Sequence, residues 1–212
     1  MSSALMRRRS LIFGALFLGV APGMARASKQ LAAALENAGY LSDLDDRTRP
    51  VIQQAIAREG FAGALSHPKR LAFADIEDLA EGGVGQWMHE QIRPLLAARN
   101  IHVPDVQDQF PVSATDPYSV VISGQVRIIW RVDDETAQAV ATTAAFEIVN
   151  DILERSPVSD RLHFLDNGGG NDGQAWLLTP EQAQIIRDLG GVDRRWWPFI
   201  PTRLSPWYGQ YH

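Results

Sequence analysis

Apolar and polar residues alternate along YSVVISGQVRIIW, residues 118–130, on both sides of a central Ser-Gly-Gln. A period of two is typical of β-strands, and the glycine favours a turn, so the segment predicts a β-hairpin. A two-residue turn at Gly124-Gln125 suits turn chemistry but mixes polar and apolar residues on both faces. We expect a three-residue loop at 123–125, which leaves Ile129 on the more polar face. It makes the other face wholly apolar through three pairs: Ile122 with Val126, Val120 with Ile128, and Tyr118 with Trp130.

A helical period follows the hairpin. Small and aliphatic residues recur on one stripe of residues 137–152, which predicts a helix lying close to a sheet: Ala137, Ala141, Ala144, Ile148 and Ile152. Asp133 or Asp134 is expected to cap this helix, with Glu135 in its first turn, where the helix dipole favours negative charge.

Two further strands and a helix complete the pattern. RLHFLD, residues 161–166, and QAWLL, residues 174–178, predict strands on either side of a glycine-rich loop. Thr179, Pro180 and Gln182 then form a capping box with a first-turn proline, and Gly190 ends the helix. Residues 118–195 therefore predict an α+β fold in the order ββαββα. We expect an antiparallel four-stranded sheet with helices over one face, followed by an extended aromatic tail.

The region before the hairpin predicts helices. Within residues 28–100, Leu31 and Leu35 share the face of one helix, and Ile52 and Ile56 that of a second. Asp75 is expected to cap a short third turn. Pro94 is expected either to kink the last helix of this region or to lie in the first turn of a new helix. Residues 101–117 contain three prolines and predict a connector between this helical segment and the mixed domain.

The first 27 residues predict a cleaved signal peptide. Three arginines at 7–9 precede an apolar run at 11–20, and Ala25-Arg26-Ala27 fits an A-x-A cleavage site. The run is about half the ~20 residues that a membrane-spanning helix needs, so no transmembrane anchor is expected after cleavage. RRRSLIF, with Arg8-Arg9 before Ser10, Leu11 and Ile12, resembles a twin-arginine signal over about six residues. That resemblance implies export of a folded chain to the periplasm or cell exterior, and a general secretory signal is the alternative.

Charge and cysteine content exclude several classes of function. Residues 1–27 hold four arginines and no acid, so cleavage leaves 16 basic and 25 acidic residues, a net charge of about −9. Such a chain lacks a basic patch for phosphates, and we predict neither a nucleic-acid partner nor binding to anionic lipid. The sequence contains no cysteine, which excludes disulfides, thiolate metal sites and cysteine nucleophiles.

Three consecutive glycines at 168–170 raise the question of a binding loop. A dinucleotide loop needs a helix after the glycines, and a P-loop needs Gly-Lys-Ser/Thr. DNGGGNDG instead joins two predicted strands. We favour a wide hairpin turn, because glycine accepts positive φ and Asx side chains bond their own backbone. The alternative is a hard cation such as calcium, held by oxygens of Asp166, Asn167, Asn171 and Asp172. No other cofactor is predicted.

Few residues are candidates for catalysis. Asp133 and Asp134 belong to an acidic run that is typical of a cap and a solvated turn. His163 lies mid-strand, on the face opposite Leu162 and Phe164, and is expected to be a half-exposed structural histidine. These three residues, with Asp166 or Asp172, give the alternative function, a small metal-dependent hydrolase.

The C-terminal residues 196–212 are rich in aromatic side chains and prolines. We favour a tail that packs on the domain and completes its core. The alternative is an exposed surface for a protein, small-molecule or glycan partner, built from Trp196, Trp197, Trp207 and Tyr208. No catalytic motif is complete in the sequence, and the C-terminal tail is rich in aromatic residues. We therefore expect a non-enzymatic binding module of the bacterial periplasm or cell exterior.

Overall fold

The computed structural model describes residues 22–134, 136–166 and 172–202. Within these ranges the helices are α1 (Pro22–Asn37), α2 (Thr48–Glu59), α3 (Phe61–Ala64), α4 (Ile76–Ala80), α5 (Val84–Trp87), α6 (Arg93–Ala97), α7 (Ala137–Glu154) and α8 (Pro180–Leu189), with a π-helical turn at Met88–Ile92 and a 3-10 turn at Arg194–Trp196. The strands are β1 (Leu71–Asp75), β2 (Val106–Gln109), β3 (Tyr118–Ile122), β4 (Gln125–Trp130), β5 (Arg161–Asp166) and β6 (Asp172–Leu178).

The α+β class and the order ββαββα from β3 to α8 are confirmed. The single four-stranded sheet is wrong. The strands form two antiparallel three-stranded sheets, sheet 1 in the order β1-β6-β5 and sheet 2 in the order β2-β3-β4. The extra strands come from segments in which we predicted none: β1 lies within residues 28–100, and β2 lies within residues 101–117.

Strands β5 and β6 of sheet 1 are buried on both faces, whereas we expected helices over one face only. Leu162, Phe164 and Leu177 belong to a first core with sheet 2 and α7. Trp176 and Leu178 alternate with them and belong to a second core, beneath α1, α2 and α8. The N-terminal helices therefore cover the second face of the sheet.

The predicted hairpin register is wrong near its turn. Ile122 pairs with Gln125, so the turn has two residues, Ser123 and Gly124, with φ of 50° and 78°. Two positive φ values define the turn that best fits the twist of the strands. A bulge between Tyr118 and Ser119 then restores the predicted pair Tyr118–Trp130. As a result Ile129 is buried, and the side chains expected on the apolar face are exposed: Val126 and Ile128.

Two predicted helix caps are confirmed and one is wrong. Asp75 accepts hydrogen bonds from the backbone of Glu77 and Asp78 at the start of α4. Thr179 and Gln182 form the reciprocal capping box at the start of α8. Helix α7 begins after Thr136 instead of Asp133 or Asp134, and Thr136 makes no side-chain capping bond.

Helices α5 and α6 are joined by the π-helical turn Met88–Ile92. The backbone N–H of Arg93 donates to the carbonyl oxygen of Met88, five residues earlier. Pro94 lies in the first turn of α6, where its missing N–H costs least. The proline therefore starts a new helix, one of its two predicted positions.

The described part of the C-terminal tail packs on sheet 1. Phe199 forms an antiparallel bridge with Phe164 of β5, with N···O distances of 2.6 and 3.0 Å in the two directions. The two rings meet edge to face, with centroids 5.6 Å apart.

None of the helices within the described residues combines the length and the apolar character that a membrane-spanning helix needs.

Candidate functional site

A cleft of about 350 Å³ opens between β1, α4 and the π-helical turn. Three aromatic rings line it: Phe73, Trp87 and Phe110. Four carboxylates also line it, those of Asp75, Asp78, Glu81 and Glu90. We call this site the aromatic cleft. Its volume lies at the lower end of the range of small-molecule sites, ~300–1,000 Å³.

Two of the aromatic rings are exposed although they are large and apolar. The exposed fraction is 47% for Phe73 and 61% for Phe110. Phe73 lies in β1 between Ala72 and Ala74, which point into the first core, so alternation along the strand directs its ring outward. Exposed aromatic side chains beside a cavity are typical of a surface that binds something.

Trp87 forms the inner wall and is held on two sides. Its Nε1 donates a hydrogen bond of 2.8 Å to the carbonyl oxygen of Phe73. Its ring stacks on Phe146 of α7, with centroids 5.5 Å apart. The cleft is therefore built on fixed elements of the core.

Phe110 lies across the cleft from β1 and packs against Gly82. Gly82 has a φ of 107°, and a Cβ at this position would overlap the Phe110 ring. Only glycine allows both the backbone angle and the close approach. Phe110 also stacks on Tyr118, with centroids 6.3 Å apart.

Asp108 and Tyr118 support this side of the cleft from behind. The Tyr118 hydroxyl donates to the Asp108 carboxylate and accepts from the backbone N–H of Val84 at 3.1 Å. Asp108 also accepts from the backbone N–H of Gly85 at 2.8 Å. Burial and the bond to Asp108 raise the pKa of Tyr118 above its usual value. The bonds fix β2 and β3 to the start of α5.

The carboxylates of the cleft differ in their partners. Asp75 is occupied in capping α4, and Glu90 accepts a hydrogen bond of 3.1 Å from Gln86. The pKa of Asp78 is raised above its ordinary value, first by partial loss of water and then by the carboxylates of Asp75 and Glu77. The cleft thus has a negative potential that its own protein groups leave partly uncompensated.

A second cluster of charged groups lies inside the protein. We call it the ionic cluster: Asp43, His67, Arg70, Arg99 and Asp160. Arg70 Nη1 lies 3.0 Å from Asp160 Oδ1, and Arg99 Nη2 lies 2.8 Å from Asp43 Oδ2. Arg70 also donates to the carbonyl oxygens of Tyr40 and Leu177 and to Gln182 Oε1. These bonds tie the loop after α1 to β6 and α8.

His67 is a neutral member of the ionic cluster. Its Nδ1 accepts from the backbone N–H of Lys69 at 3.2 Å, so the proton is on Nε2, which faces Asp43 Oδ1 at 3.2 Å. Burial lowers the pKa of His67. Burial acts to raise the pKa of Asp43, but His67 and the two arginines outweigh it and hold that pKa below its usual value. The His67 side chain is fully enclosed and has no contact with solvent.

A larger cavity of about 590 Å³ lies between residues 99–104 and the end of α7. Apolar walls dominate it, including Ile101 and Ile152. Among its basic residues, Arg99 is paired with Asp43 and Asp160 inside the ionic cluster. Arg155 is the other arginine among its described lining residues. The residues that line this cavity therefore indicate a class of ligand less clearly than those of the aromatic cleft.

The predicted catalytic residues lie apart. Asp133 and Asp134 are in an exposed turn after β4, where the Arg131 backbone donates to Asp134 at 2.6 Å. His163 is 4% exposed, within sheet 1. The expectation of a half-exposed histidine is wrong, because the second core covers that face of β5. Burial lowers the pKa of His163 to about 4, and Nδ1 donates to the carbonyl oxygen of Arg161.

The glycine loop falls mostly outside the described residues. Asp166 ends β5 and pairs with Gly173, and the backbone of Asp172 begins β6. Asn167 and Asn171 lie outside the described residues, so the calcium site stays a prediction. Among the described residues, no group of three or more His, Asp or Glu side chains is arranged to hold a metal ion.

The aromatic tail is described in part. Trp196 ends the 3-10 turn, and Trp196 and Trp197 are both half-buried. Trp207 and Tyr208 lie outside the described residues. A ligand surface built from these four side chains stays a prediction.

The aromatic cleft is not among the sites that the sequence predicts. Two signals were present: a phenylalanine flanked by alanines in LAFAD, and a phenylalanine at the end of a polar segment in VQDQF. Each suggests a strand with one outward aromatic residue. Their proximity depends on pairings between distant segments, which neither signal reveals.

Comparisons with known proteins assign no relative. No protein-family model matches the chain, and neither the curated proteins nor the solved structures contain a significant match.

Proposed function

We propose that this protein is an exported, non-enzymatic binding module that takes a small ligand in the aromatic cleft. The observation that carries the proposal is the pair of exposed rings, Phe73 and Phe110, that line one cavity with Trp87. Leaving such rings in water costs free energy that a ligand recovers by covering them.

Rigid support is consistent with binding. Trp87 is fixed by its bond to Phe73 and by Phe146, and Phe110 by its contact with Gly82. A preformed site loses little conformational entropy when the ligand enters. The lining carboxylates lack a neighbouring nucleophile or histidine among the described lining residues, which favours recognition over chemistry.

Export is the second part of the proposal. It is supported by the arginines, apolar run and A-x-A site of residues 1–27. In the described part of α1, Arg26 and Ala27 are exposed, and Leu31 is the first buried residue. Within residues 25–27, cleavage after Ala27 therefore removes no buried side chain.

The binding proposal is tested by a thermal-shift screen of small sugars, amino acids, amines and carboxylic acids against the full chain. A ligand at 100-fold its Kd stabilises by about 2.7 kcal/mol, which raises the melting temperature by several degrees. The shift should disappear in Phe73→Ala and persist in Val126→Ala, which trims an exposed residue of sheet 2.

Two results contradict the proposal. One is a screen in which every stabilising compound acts equally on Phe73→Ala and the unmodified chain. The other is metal-dependent hydrolysis of ester or phosphate substrates that is lost in Asp172→Asn, which favours the hydrolase.

A further inference from the structure

The lining of the aromatic cleft has one sign of charge. Four of its residues are acids, and no Lys, Arg or His is among its described lining residues. Asp78, Glu81 and Glu90 are exposed, so their carboxylates are available to a ligand. A neutral or anionic ligand leaves these charges unpaired.

The aromatic rings favour the same sign of ligand. The face of an aromatic ring attracts a cation, and an ammonium group within about 6 Å of a ring centre gains free energy from it. Phe73 and Phe110 present large exposed areas at the cleft. Calcium or magnesium is a poorer match, because each requires six or more oxygen ligands and gains little from aromatic walls.

Size selects a small molecule over a macromolecule. The cleft measures about 350 Å³, enough to enclose a group such as trimethylammonium with a short chain. Its wall on the β1 side is an edge strand, but the Phe73 carbonyl oxygen there already accepts a hydrogen bond from Trp87, so the strand offers no uninterrupted row of backbone groups to a peptide.

On the basis of the proposed function, we infer that the ligand of the aromatic cleft is a small organic cation that carries an alkylated ammonium group. The ammonium lies against Phe73 and Phe110, and Asp78 and Glu90 supply the opposite charge. The net charge of about −9 on the chain without residues 1–27 attracts such a ligand from solution.

The test uses a matched pair of probes on the full chain by isothermal titration calorimetry at low salt. Choline carries a trimethylammonium group, and 3,3-dimethylbutan-1-ol has the same shape without the charge. We expect the alcohol to bind at least about tenfold more weakly than choline. Raising the salt to 0.5 M should weaken choline and leave the alcohol unchanged.

Substitutions of residues that line the cleft test whether choline binds there. Phe73→Ala should weaken choline binding about threefold or more, and Asp78→Asn and Glu90→Gln about two- to fivefold each. Glu154→Gln, which neutralises an exposed acid at the end of α7, should have no effect. Melting temperatures measured in parallel confirm that each variant is folded.

The outcomes separate this inference from the proposed function. Equal affinity for the two probes, or choline binding that Asp78→Asn and Glu90→Gln leave unchanged, overturns the cation and keeps a cleft that binds apolar groups. Absence of choline binding also overturns it, and the Phe73→Ala screen then decides the binding module independently. Displacement of choline by calcium at equal ionic strength, with calcium binding lost in Asp78→Asn, identifies a metal site instead.

Discussion

The indole nitrogen of Trp87 donates a hydrogen bond of 2.8 Å to the carbonyl oxygen of Phe73 in β1. Strand β1 is at an edge of sheet 1, so a side chain of the helical layer bonds to an edge strand. One bond therefore joins two aromatic residues that line the cleft and fixes their separation.

Replacing Trp87 by phenylalanine should keep the stack on Phe146 and remove this bond. We expect a loss of about 1 kcal/mol in unfolding free energy, measured by urea denaturation. Trp130→Phe is the matched control, because Trp130 Nε1 donates a bond of the same length to the Ala80 carbonyl oxygen. Only Trp87→Phe should change ligand affinity. An equal effect of both variants on binding would disprove the role of the Trp87–Phe73 bond.

The ionic cluster should show strong coupling. Arg70→Met leaves the buried carboxylate of Asp160 without its closest cation and should cost about 3–5 kcal/mol. Adding Asp160→Leu should restore part of the stability, with a coupling of about 1–3 kcal/mol in a double-mutant cycle. Additive effects of the two substitutions in urea denaturation contradict the pairing.

Stability should fall on acidification because of His163. Its pKa is about 4 in the folded chain and ~6.5 when unfolded, so the unfolded chain binds more protons between these values. The stabilisation is complete above about pH 6.5 and is lost as the pH falls towards 4. His67 and Asp43, whose pKa values are also lowered, act in the same direction.

His163→Gln should therefore flatten the fall in urea midpoint between pH 7 and pH 4.5. His102→Gln, which changes an exposed histidine, should leave the fall as it is. Parallel curves for His163→Gln and the unmodified chain would show that another group controls acid stability.

Gly82→Ala should affect both stability and binding. The φ of 107° strains any residue with a Cβ, at a cost of about 1–3 kcal/mol, and the new Cβ overlaps the Phe110 ring. Gly124→Ala is the control, since its φ is 78° and a Cβ there has no neighbour within 4 Å. Both variants should melt earlier, but only Gly82→Ala should alter ligand affinity. Unchanged affinity in Gly82→Ala refutes a role for Phe110.

Export should depend on the arginine pair at residues 8 and 9. Replacing both by lysine should leave the precursor inside the cell, as judged by fractionation, if the twin-arginine route is used. The exported product of the unmodified chain should begin at Ser28 by N-terminal sequencing. A product that begins elsewhere, or export that survives the double replacement, removes support for this signal.

Local signals in the sequence predicted the elements that depend on neighbouring residues. Thr179, Pro180 and Gln182 specify the start of α8 by themselves, and the alternation in residues 118–130 revealed the hairpin. Strand β1 was not predicted, because it is short and follows a series of helical patterns. Its partner, β6, lies about one hundred residues later, so only the folded chain shows the pairing.

The aromatic cleft was not predicted for the same reason: it depends on contacts between distant segments. Glu90 and Asp78 look like ordinary solvated acids on short helices, and Phe110 like a residue of a connector. Their proximity depends on β1 and β2, two strands that the sequence did not predict. His163 was misjudged because alternation along β5 gives the face of the residue but cannot show that a second helical layer covers that face.

The bridge between Phe164 and Phe199 has a consequence for the behaviour of the protein in concentrated solution. Strand β5 is an outer strand of sheet 1, and open outer strands pair readily with other molecules. By occupying the backbone of Phe164, the tail blocks that contact at the middle of the strand. A chain truncated before Phe199 therefore exposes unpaired backbone groups at the edge of β5 and should be prone to self-association.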